Sequence, residues 1–338
     1  MNGNPRLTVF MPVYNGETYV GEAIESILRQ TYTDFRFIII NDGSTDRTEG
    51  VINAYRDPRI TLVTHDTNLG IPRTRNHGLD LAEGHYLALM DSDDIANRRR
   101  LESQVAFLDN NQDVGICGTW YNKLLGSEKS ETRFPVRHEE IVFQMLFANA
   151  FGQNTVMLRR SFIEKHCLRY DINFPYSEDY EFWVRCSKYM RLANLPETHV
   201  IYRYHPGNSS NRFSEEMAHH ADRVRVMHFN NLELYPTKSE LQLHLDLLNF
   251  RFNGELERLA DTRDWLAKLL ALGKRHYGVA EAEVHPHLAR YWYGACARSA
   301  HLGWRTWQLF RSSPIGRAAS WEWQWKLLLR CATRHPVV

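Results

Sequence analysis

Three carboxylates follow one apolar run within four positions of this sequence. Asp91, Asp93 and Asp94, with Ser92 between them, come directly after residues 86–90, which are all apolar or aromatic. Such a run predicts a strand covered on both faces, and ligands in open α/β sheets bind outside the carboxyl ends of strands. Neighbouring carboxylates repel each other, and Mg²⁺, Mn²⁺ or Ca²⁺ removes that cost, so the pattern predicts a cation site. A solvated turn that caps a helix is the alternative.

Another carboxylate, Asp42, ends the second predicted strand in the motif Asn41-Asp42-Gly43-Ser44-Thr45-Asp46. A carboxylate at this place can accept hydrogen bonds from a ribose or a base N–H. A tight turn with its glycine at positive φ explains the same motif without a ligand. The sequence has no glycine-rich phosphate loop of the G-x-G-x-x-G or G-x-x-x-x-G-K type. A bound nucleotide would therefore need Asp93 with a cation, helped by Arg73 or Arg75, to neutralise its phosphates.

Length and composition restrict the class of protein. The 338 residues can form one large domain or two ordinary ones, and 43% are hydrophobic, enough for a substantial core. A formal net charge of +1 argues against nucleic acid as a partner. Five scattered cysteines without a Cys-x-x-Cys pair favour free thiols in a reducing compartment. No signal peptide or apolar stretch of about 20 residues is recognisable, so the expected location is the cytoplasm.

Strand and helix patterns alternate up to about residue 210 and then give way to helices alone. Predicted strands cover residues 7–11, 35–40, 60–63, 86–90, 114–117, 155–158 and 200–204, and Pro12 is expected to end the first of them. Predicted helices cover residues 20–30, 45–54, 72–81, 99–108, 180–186, 215–234, 238–250, 256–272 and 285–302. The alternation predicts an α/β fold with a mostly parallel sheet flanked by helices. The predicted division is residues 1–211 and a helical region, residues 212–338.

Taken together, the motifs resemble those of family 2 glycosyltransferases. The resemblance rests on Val9-Phe10-Met11-Pro12-Val13-Tyr14-Asn15, Asn41-Asp42-Gly43-Ser44-Thr45-Asp46, Asn68-Leu69-Gly70 with Arg75-Asn76-x-Gly78, and Asp91-Ser92-Asp93-Asp94. They occur in the family's order and approximate spacing, over about residues 6–210. The resemblance implies the GT-A fold, whose Rossmann-like sheet binds a nucleotide sugar. It also implies inverting transfer from a nucleotide-diphosphate donor, usually a UDP sugar, with Mn²⁺ or Mg²⁺.

The resemblance implies roles for individual residues. The donor-binding residues would be Pro12, Tyr14, Glu17, Asp42, Arg75, Asp91 and Ser92. Asp93 would bind the metal, with His205 as a further ligand or, together with Arg203, as a contact of the diphosphate. Glu178 and Asp94 would lie on the acceptor side.

Asp179 is the predicted catalytic base, since it matches the second residue of the family's Glu-Asp pair. An inverting transfer needs one base for the acceptor hydroxyl, and general-base help contributes about 10²–10⁴-fold. The alternative is that the helix dipole alone favours an acidic residue in a first helical turn.

The resemblance therefore implies a metal-dependent hexosyltransferase that acts on a glycan or lipid-linked glycan in bacterial lipopolysaccharide or capsule synthesis. One alternative is a sugar nucleotidyltransferase, although residues 11–16 lack the basic, glycine-rich loop such an enzyme would use. A non-catalytic sugar-nucleotide or glycan-binding protein is the other, and the presence of both Asp93 and Glu178-Asp179 argues against it.

Tryptophan and basic residues are concentrated near the C-terminus, at Trp304, Trp307, Trp321, Trp323, Trp325, Arg305, Arg311, Arg317, Lys326 and Arg330. Both residue classes favour the interface of a membrane, which would give peripheral contact with the inner face of the cytoplasmic membrane. Packing against the catalytic domain explains the same tryptophans. Formation of a homodimer is a further role open to the helical region.

Overall fold

The computed structural model describes residues 5–249, 251–252, 254–277 and 281–336. The chain forms two compact units, Met1–Arg225 and Val226–Val338. The last strand ends at Arg203, and only helices follow it in the described residues. Of the predicted helix at 238–250, Phe250 lies outside the described residues.

A mixed sheet of nine strands forms the centre of the described part of the first unit. The strands are β1 (Leu7–Val13), β2 (Phe35–Asn41), β3 (Ile60–Thr64), β4 (Tyr86–Leu89), β5 (Ile95–Ala96), β6 (Val114–Leu125), β7 (Glu128–Thr132), β8 (Met157–Arg159) and β9 (Arg191–Arg203). Their order is β3-β2-β1-β4-β8-β6-β9-β5, and β7 pairs with β6. The predicted parallel pairing holds from β3 to β4, whereas β8 runs antiparallel to both of its neighbours.

Helices flank this sheet, as the alternating pattern predicted. They are α1 (Val20–Leu28), α2 (Thr48–Asn53), α3 (Ile71–Leu81), α4 (Arg100–Asn110), α5 (His138–Gln144), α6 (Arg160–Lys165), α7 (Glu178–Cys186) and α8 (Ser209–Arg212). The buried face of α1 carries Val20, Ala23, Ile24 and Ile27 at helical spacing. These side chains belong to one core cluster with the apolar residues of β1 and β2.

Pro12 does not end the first strand, which continues to Val13. The backbone of Phe10 bonds toward β4, where its carbonyl accepts from Met90, and the carbonyl of Val13 accepts from Asp42 on the β2 side. Bonding alternates along a strand, so Pro12 faces the β4 side, where pairing with β1 stops at Phe10. No strand pairs with β1 on that side at Pro12, so the absence of an N–H on proline costs no hydrogen bond between strands. The prediction that Pro12 ends the strand is wrong.

The strands β6 and β9 extend well beyond the apolar segments that predicted them, and β7 was not predicted at all. The sequence indicated only residues 114–117 and 200–204, but β6 reaches Leu125 and β9 begins at Arg191. The outer part of β6 is half-buried and β7 is largely exposed, so neither carries the buried apolar run that marks the other strands. In the parallel β6–β9 pair, Thr119 lies opposite Leu195 and Trp120 lies opposite Thr198. Pro196 lies in this irregularity, where a proline interrupts no regular ladder.

The second unit is helical throughout its described residues. Helix α9 (Ser214–Asn231) begins in the first unit and ends in the second. The helices after it are α10 (Lys238–Leu248), α11 (Leu256–Tyr277), α12 (Glu281–Arg298), α13 (Trp304–Ser312), α14 (Pro314–Ala318) and α15 (Trp321–Thr333). Leu266, Leu269, Trp292, Phe310 and Leu327 are buried in this unit. Among the helices described, none combines the length and the apolar character needed to cross a bilayer.

Candidate active site

The loop after β1 is tied to the loop after β2 by the polar residues of the Asn41–Asp46 motif. The Asn15 N–H donates to Ser44 Oγ at 2.9 Å, and Asn15 Oδ1 accepts from the Thr45 N–H at 2.8 Å. The Gly16 N–H donates to Thr48 Oγ1 at 2.8 Å. Asn15 adopts a φ of 49°, which an asparagine tolerates better than most residues. Much of this motif therefore stabilises the two loops.

Four of the predicted donor-binding residues, Pro12, Tyr14, Glu17 and Ser92, lie on or beside these loops. Tyr14 is exposed, and Pro12 is half-buried at the end of β1. The Glu17 carboxylate accepts from the Arg47 backbone and side chain, and these hydrogen bonds hold its pKa below the usual value. A Cβ at Gly16 would lie 3.6 Å from Ser92 Oγ, so the β1 loop lies beside the Asp91–Asp94 segment.

Asp42 is buried, and protein donors surround its carboxylate. Oδ1 accepts from the Leu69 N–H at 3.0 Å and lies 2.7 Å from His65 Nδ1, and Oδ2 accepts from the Gly70 N–H at 3.1 Å. His65 Nε2 in turn lies 2.8 Å from His77 Nδ1. Asp42 thus holds the Asn68-Leu69-Gly70 turn, which leads into α3.

Arg75, on α3, joins the end of β4 to the start of α7. Its side chain is buried, forms an ion pair with Glu178, and places Nη2 3.7 Å from Asp91 Oδ1. Helix α3 can approach the sheet closely because residue 78 is glycine: a Cβ there would lie 2.5 Å from the Phe10 ring. Burial lowers the pKa of Arg75, but Glu178 and Asp91 outweigh it and the net pKa is raised. The guanidinium therefore stays charged.

The carboxyl groups around Arg75 all have raised pKa values. Burial raises the pKa of Asp91 to about 6, Arg75 opposes this, and Asp93 and Asp179 add to it. A third of the Asp91 side chain is still accessible, so a ligand can reach it. Burial raises the pKa of Glu178 to about 7 against the effect of Arg75, and Glu178 Oε2 has no hydrogen-bond partner in the described part of the chain. The carboxyl groups of Asp91, Glu178 and Asp179 thus lie around a single guanidinium, that of Arg75, which cannot neutralise all three. Raised pKa values of this kind are typical of a functional site.

Asp179 is partly exposed, and its orientation is set by Asn149. The Asn149 amide donates to Asp179 Oδ2 at 2.8 Å, and Asn149 Oδ1 accepts from the Phe151 N–H at 3.2 Å. Because Asn149 Oδ1 must face a donor, its NH₂ group must face Asp179. Burial raises the pKa of Asp179, and Arg75 and the bond from Asn149 oppose this.

Asp93 lies beside His205, as the predicted metal site requires. Asp93 Oδ2 is 3.1 Å from both His205 Nε2 and the Asn208 amide. The described residues contain no cluster of three or more His, Cys, Asp or Glu side chains able to hold a metal. Mg²⁺ and Mn²⁺ sites that use few protein carboxylates are completed by water and substrate phosphates, so the donor set fits a cation that arrives with a diphosphate.

His205 fits this role less directly than Asp93. Its Nδ1 accepts from the Gly207 N–H at 3.2 Å, so the neutral ring carries its proton on Nε2 and donates it to Asp93. A histidine that binds a metal through Nε2 normally donates its Nδ1–H to an acceptor, but Nδ1 of His205 faces the N–H donor of Gly207. Binding of a cation through Nε2 would therefore require the turn at Gly207 to adjust.

Asp94 is fully buried and does not face an acceptor site. Its Oδ1 accepts from the Arg203 N–H at 2.8 Å, and its Oδ2 accepts from the Asn154 amide. Burial raises its pKa well above the usual value. Asp94 holds β9 at its last residue, Arg203, which lies two residues before His205. We assign Asp94 this positioning role in place of the predicted contact with an acceptor.

Several residues of the site carry no sequence signal that identifies them. Asn149 and Asn208 bond Asp179 and Asp93, but single amides occur throughout the chain. Tyr176 adopts a φ of 64° just before Glu178-Asp179, and its ring stacks on Phe213 at 3.9 Å. A non-glycine residue with a positive φ is uncommon, and its stacking partner is distant in sequence, so neither feature could be predicted from the residues around Tyr176.

Comparison with known proteins establishes the class of protein to which this fold and this acidic site belong. A family profile described as glycosyl transferase family 2 matches residues 8–167. An uncharacterized glycosyltransferase of Haemophilus influenzae is 34% identical over 237 residues, which cover 67% of this chain and 73% of that protein. The chain belongs to glycosyltransferase family 2, and it is an enzyme of that class.

Further similarities agree with this assignment. A UDP-Glc:α-D-GlcNAc-diphosphoundecaprenol β-1,3-glucosyltransferase of Escherichia coli is 28% identical over 213 residues, covering 62% of this chain and 81% of that protein. S. aureus TarS residues 1–349, solved with UDP-GlcNAc, superposes with a TM-score of 0.59 at 17% identity and covers 96% and 90% of the two chains. A Pyrobaculum calidifontis mannosyltransferase with GDP-mannose and Mn²⁺ gives a TM-score of 0.52 at 17% identity, covering 98% and 87%. The structural similarities confirm the predicted GT-A-like fold with a helical C-terminal region.

Proposed function

We propose that this enzyme transfers a sugar from a UDP-sugar donor to a hydroxyl of a glycan, with inversion at the anomeric carbon and Asp179 as the base. The observation that carries the proposal is the position of Arg75. One buried guanidinium pairs with Glu178 at the start of α7 and approaches Asp91 at the end of β4. The predicted donor side and acceptor side therefore meet at one place, as a single-displacement transfer requires.

On the donor side, Asp91 and the β1 loop would contact the nucleoside and the sugar. Asp93 would hold Mn²⁺ or Mg²⁺, with His205 as a second ligand once the ring proton lies on Nδ1 instead of Nε2, which requires the Gly207 N–H to turn away. When bound, such a cation stabilises the negative charge that develops on the departing diphosphate. The donor set at Asp93 supports this, and so does the Mn²⁺ complex of the mannosyltransferase of the same fold.

On the acceptor side, Asp179 would take the proton of the attacking hydroxyl. The acceptor oxygen forms a bond to the anomeric carbon from the face opposite the diphosphate, and the bond from that carbon to the diphosphate oxygen breaks. The raised pKa of Asp179 makes its carboxylate a stronger base than an ordinary aspartate, and Asn149 holds one of its oxygens in place. Glu178 would position Arg75, since its carboxylate is buried against that side chain.

The names of relatives suggest the donor and acceptor classes. TarS was solved with UDP-GlcNAc, and the E. coli relative uses UDP-Glc and a diphosphoundecaprenol-linked GlcNAc. We extend these classes to the present chain as a UDP sugar and a lipid-linked glycan acceptor, within bacterial surface polysaccharide synthesis.

The test is release of UDP from a panel of nucleotide sugars, with Mn²⁺, with Mg²⁺ and with EDTA, in the presence of glycan acceptors. We expect one UDP sugar to react with a divalent cation, and Asp93→Ala to weaken cation-dependent donor binding. Asp113→Ala is the matched control, because Asp113 is an exposed aspartate paired with Arg191 at the opening of β6. In a parallel assay with UTP and a sugar 1-phosphate, release of pyrophosphate would show a nucleotidyltransferase. Donor binding without turnover would show a binding protein.

A further inference from the structure

Helix α15 presents a row of apolar side chains to solvent. Trp321, Trp325 and Leu329 are spaced four residues apart, lie on one face, and are 80%, 56% and 48% exposed. The opposite side of the helix packs through Leu327 and Cys331, which are buried. The packing explanation for the C-terminal tryptophans therefore does not cover Trp321 and Trp325.

Helix α13 runs beside α15 and widens this row. The Arg311 guanidinium bonds to the Gln324 amide near the start of α15, and a Cβ at Gly303 would lie 3.4 Å from Arg334 Nε near its end. Trp304, the first residue of α13, is 58% exposed. We use the name aromatic-cationic face for the exposed side chains of Trp304, Trp321, Trp325 and Leu329 together with the basic residues of the same segment, Arg305, Arg311, Arg317, Lys326, Arg330 and Arg334.

The charge of this segment differs sharply from that of the whole chain. Residues 303–336 contain six lysines or arginines and one acidic residue, Glu322, whereas the complete chain has a net charge of +1. The Glu322 carboxylate forms an ion pair with Lys326, whose Nζ lies 2.5 Å from Glu322 Oε1. The segment carries five excess positive charges around exposed tryptophans.

We propose that the aromatic-cationic face binds the surface of a bilayer that contains anionic phospholipids. Tryptophan favours the zone between headgroups and acyl chains, and lysine and arginine are attracted to anionic headgroups. A second copy of this chain would bring two positively charged faces together, which disfavours a dimer here. A neutral glycan would leave the excess cations without a counter-charge. The inference concerns the second unit alone and does not rest on the proposed reaction.

The test is co-sedimentation of the full chain with vesicles of phosphatidylcholine alone or with about 30% phosphatidylglycerol. We expect binding to the anionic vesicles that falls as salt is raised. Trp321→Ser with Trp325→Ser should weaken it at least about tenfold, and each of Arg305→Gln and Arg330→Gln about fivefold. Tyr235→Ser is the matched control, because Tyr235 is a 75% exposed aromatic residue in the same unit and outside the face.

Far-UV circular dichroism and UDP release with a water-soluble acceptor should stay unchanged in all four variants. Equal binding to neutral and anionic vesicles, or full binding by the double tryptophan variant, would overturn the proposal. A concentration-dependent dimer that the double variant abolishes would assign the face to a second copy instead. Binding to a glycan polymer but to neither vesicle type would assign it to a saccharide. If no donor reacts, vesicle binding still decides this inference, so the two proposals fail separately.

Discussion

The carboxylates at the ends of β2 and β4 occupy equivalent places in the fold but have different surroundings. Asp42, after β2, accepts from two backbone N–H groups and lies against His65. Asp91, after β4, shares one guanidinium with Glu178, and its only ion-pair contact in the described residues is the 3.7 Å approach of Arg75. Both oxygens of Asp42 thus accept hydrogen bonds from the protein, whereas Asp91 has only the distant guanidinium of Arg75 beside it in the described residues.

This difference predicts a loop-stabilising role for Asp42 and a ligand site around Arg75. Donors around Asp42 satisfy its charge without a substrate, so its position at a strand end is explained by structure alone. Around Arg75, carboxyl groups with raised pKa values repel each other until a cation or a substrate hydroxyl intervenes. Four substitutions test the comparison, in decreasing order of expected effect.

Asp179→Asn should lower kcat by about 10²–10⁴-fold while the affinity for the donor changes little, because the amide cannot accept the acceptor's proton. Steady-state kinetics with the reactive donor and a fixed acceptor measure this. Glu181→Gln is the control, since Glu181 is a buried carboxylate of the same helix, paired with Arg185. Near-normal turnover by Asp179→Asn would remove Asp179 from the mechanism, and equal losses in both variants would indicate damage to α7.

Arg75→Gln should cost about 3–5 kcal/mol of stability, since it leaves Glu178 buried without its cation. Arg75 also lowers the pKa values of Asp91, Glu178 and Asp179, so its loss should raise all three. A base must be deprotonated to act, so the acidic limb of the pH–rate profile should move to higher pH.

Urea denaturation and kcat/KM from pH 5 to 9 measure the two effects of Arg75→Gln. Arg73→Gln, an exposed arginine of the same helix, should change neither. A stable Arg75→Gln variant with an unshifted limb would contradict the central place given to this residue.

Asp42→Asn should cost about 1–3 kcal/mol of stability, because one carboxylate oxygen becomes an NH₂ group that faces donors. Its effect on turnover should be much smaller than that of Asp179→Asn. Denaturation and donor titration, done together, distinguish the two roles. A large loss of donor affinity with unchanged stability would return Asp42 to the nucleotide site.

Asn149→Leu should have the smallest effect, an upward shift of the acidic limb by about one pH unit. A hydrogen bond from an amide stabilises the charged form of Asp179, and its loss raises the pKa of that carboxyl. The pH dependence of kcat/KM measures the shift. Lower activity at every pH without a moved limb would indicate a structural role only.

The sequence predicted the parallel half of the sheet and missed most of the other half. Strands β1, β2 and β4 are buried on both faces and therefore read as continuous apolar runs. The hairpin formed by β7 and the outer, half-buried part of β6 has no continuous apolar run, and neither does the first part of β9. Their pairing depends on a bulge at Pro196 and on partners distant along the chain.

The same division holds for the candidate site. The order of the motifs identified Asp91, Asp93 and Glu178-Asp179 as candidates, because clustered carboxylates are conspicuous in a sequence. It could not show that Asp94 is buried against Arg203 or that Asn149 orients Asp179. Those contacts join residues 30 to 109 positions apart.

By itself, the amino-acid sequence determined which strands are buried, where the acidic residues follow them, and to which family the motifs point. Local apolar runs and local charge are properties of short segments and can be read without a fold. Only the tertiary structure decided which carboxylates are neutralised and which are left in need of a partner. The neutralisation of each carboxylate depends on hydrogen-bond donors from distant parts of the chain. Burial makes an unpaired charge costly, so the presence or absence of such a donor decides the state of the carboxyl group.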